Sequence, residues 1–267
     1  MMHSQLSIGA PRACFVRSVP FSFEGCLRSE QTTIDVAKAQ KEHAELMKKV
    51  GRLVDEIIFV PISEEHPDGC FVEDVAIVLD DLAIMTRPGA LSRRGEVLEV
   101  ESVLKKFMKV THLEAGTLDG GDVMRVANTL FVGRSTRTDS AGVDSLRRIC
   151  RPLGIDCIEV PVSAELHLKS LCTVVGDNTI VVGPSLLERT IFEERGIRMI
   201  EVPERFGANV LPLGTTTLVS SSAPITAEIL EAKGFNILRV NVSELHKADG
   251  ALTCLSLRWP HCGFWCP

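Results

Sequence analysis

Apolar and polar positions change period along this chain in a fixed order. From Phe71, "FVEDVAIVLDDLAIM" reads as two short apolar runs around an Asp-Asp turn, the pattern of a β-hairpin. "RRGEVLEVESVLKKFM" follows, with Val97, Val100, Leu104, Phe107 and Met108 at helical spacing. "KVTHL" then closes the segment as a further strand. The same order returns in "GGDVMRVANTLFVG", "SAGVDSLRRICRPLG" and "CIEVPV". It returns again in "HLKSLCTVVGDNTIVVG", "SLLERTIFEERG" and "IRMIEVP", and in "NVLPLGTTTLVSS", "PITAEILEAKG" and "FNILRVNV". Gly154, Gly196 and Gly234 stand where three of these helices should stop in a left-handed cap, and Pro224 stands where the last should start.

The two ends of the chain supply a fifth unit. "ALTCLSLRW" predicts a final strand with no hairpin partner after it. "RACFVRSVP", "DVAKAQKEHAELMKKVG" and "EIIFVPI" supply a strand, a helix and a strand at the other end. Pairing the terminal strands leaves no orphan unit, so the pattern predicts an α/β fold: a closed, pseudo-fivefold arrangement of ββαβ units. The whole of residues 1–267 is expected to form one catalytic domain, with loose tails at 1–11 and 260–267. The second tail carries His261, Cys262 and Cys266 at a spacing that fits no standard zinc site, together with Trp265 beyond Trp259.

Composition narrows the function classes. The net charge is −6, with no block of Lys and Arg, which disfavours nucleic acid and anionic membranes as partners. No apolar run approaches the ~18 residues that span a bilayer, and the N-terminal stretch does not read as a signal peptide. Nine scattered cysteines suggest reduced thiols and a cytoplasmic protein. A small-molecule substrate is the expected partner, for a monomer or a homodimer.

Polar residues recur at the predicted first strands: Glu73 and Asp74, Asp119 and Asp122, His167, Asn209, and Cys254. Their spacing, roughly 42 to 48 residues, is the repeat length, so the ring should gather them near one point. A strand cysteine or a single histidine is usually core, and Asn209 reads as a structural or capping group. As a set, carboxylates, an imidazole and a thiol suit covalent attack on a cationic carbon. Carboxylates grip a guanidinium through paired hydrogen bonds, and Asp74 and Asp119 are candidates for that grip. A held cation favours the thiolate of Cys254. His167 can protonate the departing amine and then take a proton from water. The acids around Cys254 should leave its thiol ordinary in the empty site.

"DGCFVEDVAIV", "TRPGALSRR", "TLDGGDV", "FVGRSTRT", "LHLKS" and "DGALTC" resemble, in order, the motifs of the dimethylarginine dimethylaminohydrolases. That family belongs to the guanidino-group-modifying (pentein) superfamily of five-bladed α/β propellers. The resemblance runs from about residue 12 to 258. It implies hydrolysis of N-omega-methylated L-arginine to L-citrulline plus methylamine or dimethylamine through a Cys thiouronium intermediate. It implies no cofactor and no metal. By motif position, Cys254 matches the nucleophile, His167 the general acid/base and Asp119 an acid beside the guanidinium. Asp74 matches a second guanidinium ligand, Asp68 a residue near the α-amino group, and Arg93 and Arg137 an α-carboxylate clamp. Leu27 matches a lid contact, Ala248 a backbone contact and Glu73 an acidic position near the site. The alternatives are an arginine deiminase-like guanidine hydrolase, an amidinotransferase, and a non-catalytic propeller such as a ribosome anti-association factor.

Overall fold

The computed structural model describes residues 11–163, 165–185 and 188–260. The expected N-terminal tail and the tail's His261, Cys262, Trp265 and Cys266 lie outside the described residues, Pro11 and Pro260 apart. Among the described residues, fifteen strands form five three-stranded sheets. In the first, β1 (Ala13–Val16) pairs parallel with β2 (Glu56–Phe59) and antiparallel with β15 (Leu257–Trp259), so both ends of the chain build one sheet. The others each follow the chain: β3 (Ala76–Leu79), β4 (Leu82–Met85) and β5 (Lys109–His112); β6 (Val123–Val126), β7 (Thr129–Arg134) and β8 (Asp156–Pro161). Then come β9 (Cys172–Gly176), β10 (Thr179–Val182) and β11 (Arg198–Glu201), and β12 (Leu211–Leu213), β13 (Thr216–Ser220) and β14 (Asn236–Val240). In every sheet the central strand has one antiparallel and one parallel neighbour, as the hairpin–helix–strand order requires.

The helices are α1 (Val36–Val50), α2 (Glu96–Leu104), α3 (Ser140–Cys150), α4 (Leu168–Leu171), α5 (Thr190–Glu193), α6 (Pro224–Ala232) and α7 (Ser243–His246). Asp35 and Asp139 cap α1 and α3 by accepting the backbone N–H of Lys38 and of Gly142. Gly154, Gly196 and Gly234 adopt φ of 68°, 66° and 91°, the left-handed stops expected of them. The helix expected over "SLLERTIFEERG" is a single turn, α5, with Leu186 and Leu187 outside the described residues.

Five apolar clusters hold the sheets to one another, each shared by two successive units. One joins β1 and β15 to β4 and α2; others join β4 to β7, β7 to β10, and β10 to β13. The fifth joins β12, β13 and β14 back to β1 and α1, through Leu211, Leu218, Val240, Val16 and Leu46. The order of units therefore closes on itself. Trp259 belongs to this scaffold and not to a tail: it sits opposite Ala13 on β15, stacks on Phe15 at 6.2 Å, and takes the Arg12 guanidinium at 4.4 Å over its ring.

Candidate active site

The predicted constellation lies not on the first strands but on the short turns that feed them. Glu73 and Asp74 sit in a 3-10 turn before β3, Asp119 immediately precedes another before β6, and His167 immediately precedes α4 before β9. Cys254 lies in a 3-10 turn, Thr253–Leu255, so the expected strand across "ALTCLSLRW" is shortened to Leu257–Trp259. A turn can aim neighbouring side chains to different sides of the molecule. Asp74, His167, Asn209 and Cys254 line one cavity of about 440 Å³, with Leu27, Asp68, Arg93, Arg137 and Ala248 around it.

The glycines of "LDGGD" make this convergence possible. A Cβ on Gly121 would stand 2.7 Å from both Asp74 Oδ1 and His167 Nδ1. A Cβ on Gly120 would stand 1.9 Å from the Glu73 carbonyl oxygen. Only a bare backbone fits between the turns, and the Gly121 N–H uses the approach to donate to Asp74 Oδ1 at 3.0 Å.

His167 is buried, and its Nε2 lies 3.0 Å from Asp119 Oδ2. Burial alone would lower its pKa, but the charge of Asp74, the bond to Asp119 and the charge of Asp122 raise it to about 9. The ring is thus held protonated at neutral pH. Asp119 is 0% exposed and does not line the cavity. Its Oδ1 accepts the Gly89 N–H and its Oδ2 faces His167 Nε2. Asp122, also fully buried, accepts Ser135 Oγ, Thr138 Oγ1 and the Leu168 N–H, and fixes the start of α4. Asp74, Asp119 and His167 bring ligand atoms within 4.8 Å of one another, an approach their hydrogen bonds and the turn packing account for.

The Cys254 thiol is not activated in the empty site, and burial adds to the effect of the acids expected there. Burial first, then the charges of Glu73 and Asp74, push its pKa up to about 12. Thr253, its neighbour, is bracketed by Asn209: the Thr253 N–H donates to Asn209 Oδ1 at 3.0 Å, and Asn209 Nδ2 donates to Thr253 Oγ1 at 3.0 Å. Asn209 thus braces the turn that carries Cys254. Glu73 corrects another expectation, because it does not line this cavity. It accepts Thr253 Oγ1 at 2.7 Å and pairs with Lys169 at 2.6 Å and Arg258 at 2.5 Å. These cations and two hydrogen bonds outweigh its burial and hold the carboxylate below its usual range.

Around the mouth, Arg137 lines the cavity with Nη1 3.9 Å from Asp119 Oδ2. Arg93 also lines it, but as a buried group already paired with Asp74 and, through Nε and Nη2, with Glu96 at 2.9 and 2.7 Å. The fork expected to clamp a carboxylate is therefore mostly committed to positioning Asp74. Asp68 accepts the Leu27 N–H at 3.0 Å, and burial raises its pKa to about 6. Asp249, at φ 54°, accepts the Ser29 N–H and hydroxyl at 2.6 and 2.8 Å. The chain is thus tied down on both sides of Arg28.

Comparison with known proteins bears on this geometry. The arginine deiminase family model matches residues 64–201. A Streptomyces coelicolor N(G),N(G)-dimethylarginine dimethylaminohydrolase is 39% identical over 86% of this chain and 89% of its own length. The chain belongs to the dimethylarginine dimethylaminohydrolase family. The Pseudomonas aeruginosa member is 30% identical over 88% of this chain and 94% of its own length. A cysteine-to-serine variant of that protein complexed with citrulline superposes with a TM-score of 0.89, covering 94% of this chain and 100% of that one. The substrate-bound N-terminal domain of ArgZ, a cyanobacterial arginine dihydrolase, shares the fold at a TM-score of 0.83 and 17% identity, over 93% of this chain and 98% of that one.

Within this family member, residue-type reasoning missed Lys169, Thr253 and Arg258, the partners of Glu73, and Glu96, the partner of Arg93. Glu96 had a readable signal, an Arg-to-Glu step of three residues across a helix start. Lys169 and Arg258 carry no sequence signal, and only their pairing with Glu73 distinguishes them.

Proposed function

We propose that this protein hydrolyses N-omega-methylated L-arginine to L-citrulline and methylamine or dimethylamine, with Cys254 as nucleophile and His167 as proton carrier. One observation carries this reading: Cys254, His167 and Asp74 line one cavity in a chain of the dimethylarginine dimethylaminohydrolase family.

The charges of the site order the steps. In the empty cavity the thiol is protonated and the imidazole is charged, so His167 is poised as an acid and not as a base for the thiol. A guanidinium held by Asp74 supplies the positive charge that Cys254 lacks, and the thiol proton leaves to solvent. The Cys254 sulfur then bonds to the guanidinium carbon. The tetrahedral adduct collapses by breaking the bond to the methylated nitrogen, which departs as amine with the proton from His167. A thiouronium remains on Cys254. Neutral His167 takes a proton from water, the hydroxide adds to the thiouronium carbon, and the C–S bond breaks as the hydroxyl proton leaves to solvent, giving citrulline and the thiolate. Asp119 keeps Nε2 oriented through both transfers. Arg137 is the main holder of the α-carboxylate, with Arg93 contributing chiefly by fixing Asp74.

The arginine deiminase family match makes unmethylated arginine the competing substrate. Offering dimethylarginine, monomethylarginine and arginine in parallel separates the two. Citrulline with dimethylamine from the first supports the proposal. Citrulline from arginine alone, abolished in Cys254→Ser, would make the protein a deiminase.

A further inference from the structure

The turns that carry the catalytic groups form a partition with a second cavity behind it. Where Asp74, His167, Asn209 and Cys254 line the first cavity, their close neighbours Glu73, Lys169, Val210 and Thr253 line the second. The two linings share no residue. This second cavity measures about 190 Å³ and lies among the first strands of all five sheets, β3, β6, β9, β12 and β15.

Its chemistry is asymmetric. The walls are apolar, built of side chains such as Ile77, Leu79, Met124, Leu211 and Leu257. Three bases, Arg125, Lys169 and Arg258, line it against one acid, Glu73. Arg125 is paired outside the lining, with Asp80 at 3.5 Å. Lys169 and Arg258 converge on the same oxygen, Glu73 Oε1, so one carboxylate serves two cations, one of them only 8% exposed. An ammonium has three N–H donors, and Glu73 is the acid that meets that of Lys169. A buried Lys169 that shares its one anion with a partly exposed Arg258 is short of negative charge, and low-dielectric walls make that shortage costly. The volume suits a ligand slightly larger than benzene, since a dry cavity of about 150 Å³ in another protein holds that molecule.

We propose that this cavity binds a small monocarboxylate with an apolar body, its carboxylate on Lys169 and Arg258 and its body against the strand side chains, and that occupancy slows the reaction at Cys254. Coupling runs through Glu73, which shares Lys169 and Arg258 with the ligand and holds the nucleophile's turn through Thr253 Oγ1. A second negative charge behind the partition opposes formation of the Cys254 thiolate. Inhibition should therefore lower kcat and leave KM unchanged.

The test is calorimetric titration of the full chain with benzoate, with benzamide as its uncharged counterpart, in the presence of saturating citrulline. The expected result is benzoate binding that persists with citrulline bound and is at least ~10-fold weaker for benzamide, the scale of one charge-assisted hydrogen bond. Arg258→Gln should weaken benzoate by a similar factor. Val174→Phe fills the cavity from a partly exposed strand position; it should abolish binding while basal turnover stays at the parent value. Val78→Phe, also partly exposed in that lining, provides the same block from β3 should the first variant fail to fold. Displacement by citrulline, equal affinity for benzamide, or undiminished binding in a folded filled-cavity variant would overturn the proposal. The binding arm does not depend on the hydrolytic reading. Only the kinetic arm rests on it, so failure of one is distinguishable from failure of the other.

Discussion

Cys254 should be nearly inert to a neutral alkylating agent and become reactive when the reagent brings its own positive charge. A thiol with its pKa at about 12 is roughly 10⁻⁴ thiolate at pH 8, against about a quarter for an unperturbed thiol. Chloroacetamide should therefore modify Cys254 roughly 10³-fold more slowly than an ordinary exposed cysteine. The protein supplies an internal reference. Cys157 is half-buried, and its pKa is lowered by a hydrogen bond from Cys150 and, less, by Arg147. Chloroacetamidinium differs from chloroacetamide chiefly in charge. A cation ~4 Å from the sulfur at an effective dielectric of ~20 is worth about 4 kcal/mol, or about three pKa units. It should thus recover most of the lost reactivity at Cys254 and add little at Cys157, which no acid cluster surrounds. The assay is peptide mass mapping after limited labelling at pH 8 with each reagent, with and without dimethylarginine. Chloroacetamide should label Cys157 first and chloroacetamidinium Cys254 first, with dimethylarginine protecting only Cys254. A cationic preference below ~10-fold at Cys254, or no protection, would refute the reasoning that the substrate's charge activates this thiol.

Other expectations follow from the same contacts. Asp119→Asn should lower kcat by roughly 10- to 100-fold, the value of a charge-assisted hydrogen bond, with KM nearly unchanged; it should also shift the His167 titration seen by NMR toward acid, and an unmoved titration would remove Asp119 as its partner. Arg137→Ala should raise KM and leave the melting temperature near the parent value, whereas Arg93→Ala should also cost about 3–5 kcal/mol of stability, because it strands Asp74 and Glu96 in a buried site; urea titration separates the two. The His167 pKa is raised from 6.5 to about 9, so its contribution, about 3 kcal/mol, is complete below pH 6.5 and lost as pH rises through 9. Burial lowers His43 and His246 to about 4, so their contributions are present above pH 6.5 and lost as pH falls toward 4. Unfolding free energy should therefore peak near pH 6.5, and His167→Gln should flatten only the alkaline side.

The repeat order, the split fifth unit and the set of Asp74, His167 and Cys254 were legible in the sequence by itself. Alternation, helical spacing and glycine stops are local consequences of backbone geometry, and a repeated unit that cannot bury its own apolar face must stack on its neighbours. Gly154, Gly196 and Gly234 take the left-handed φ that their positions implied. Which way each polar side chain faces was not legible. Glu73 and Asp74 are adjacent in one turn, yet one pairs with Lys169 and Arg258 behind the partition while the other lines the catalytic cavity. Asp119 and Asp74 are both acids at the repeat spacing, but only the packing of Gly120 and Gly121 against the neighbouring turn buries Asp119 behind His167. The acids expected to oppose the Cys254 thiolate do so, but its pKa of about 12 owes most to desolvation, which acts in the same direction and which sequence counting cannot see. Repeat spacing determines which residues meet; their orientation, burial and protonation depend on contacts between turns some 45 residues apart, which come into being only when the five units close around one axis.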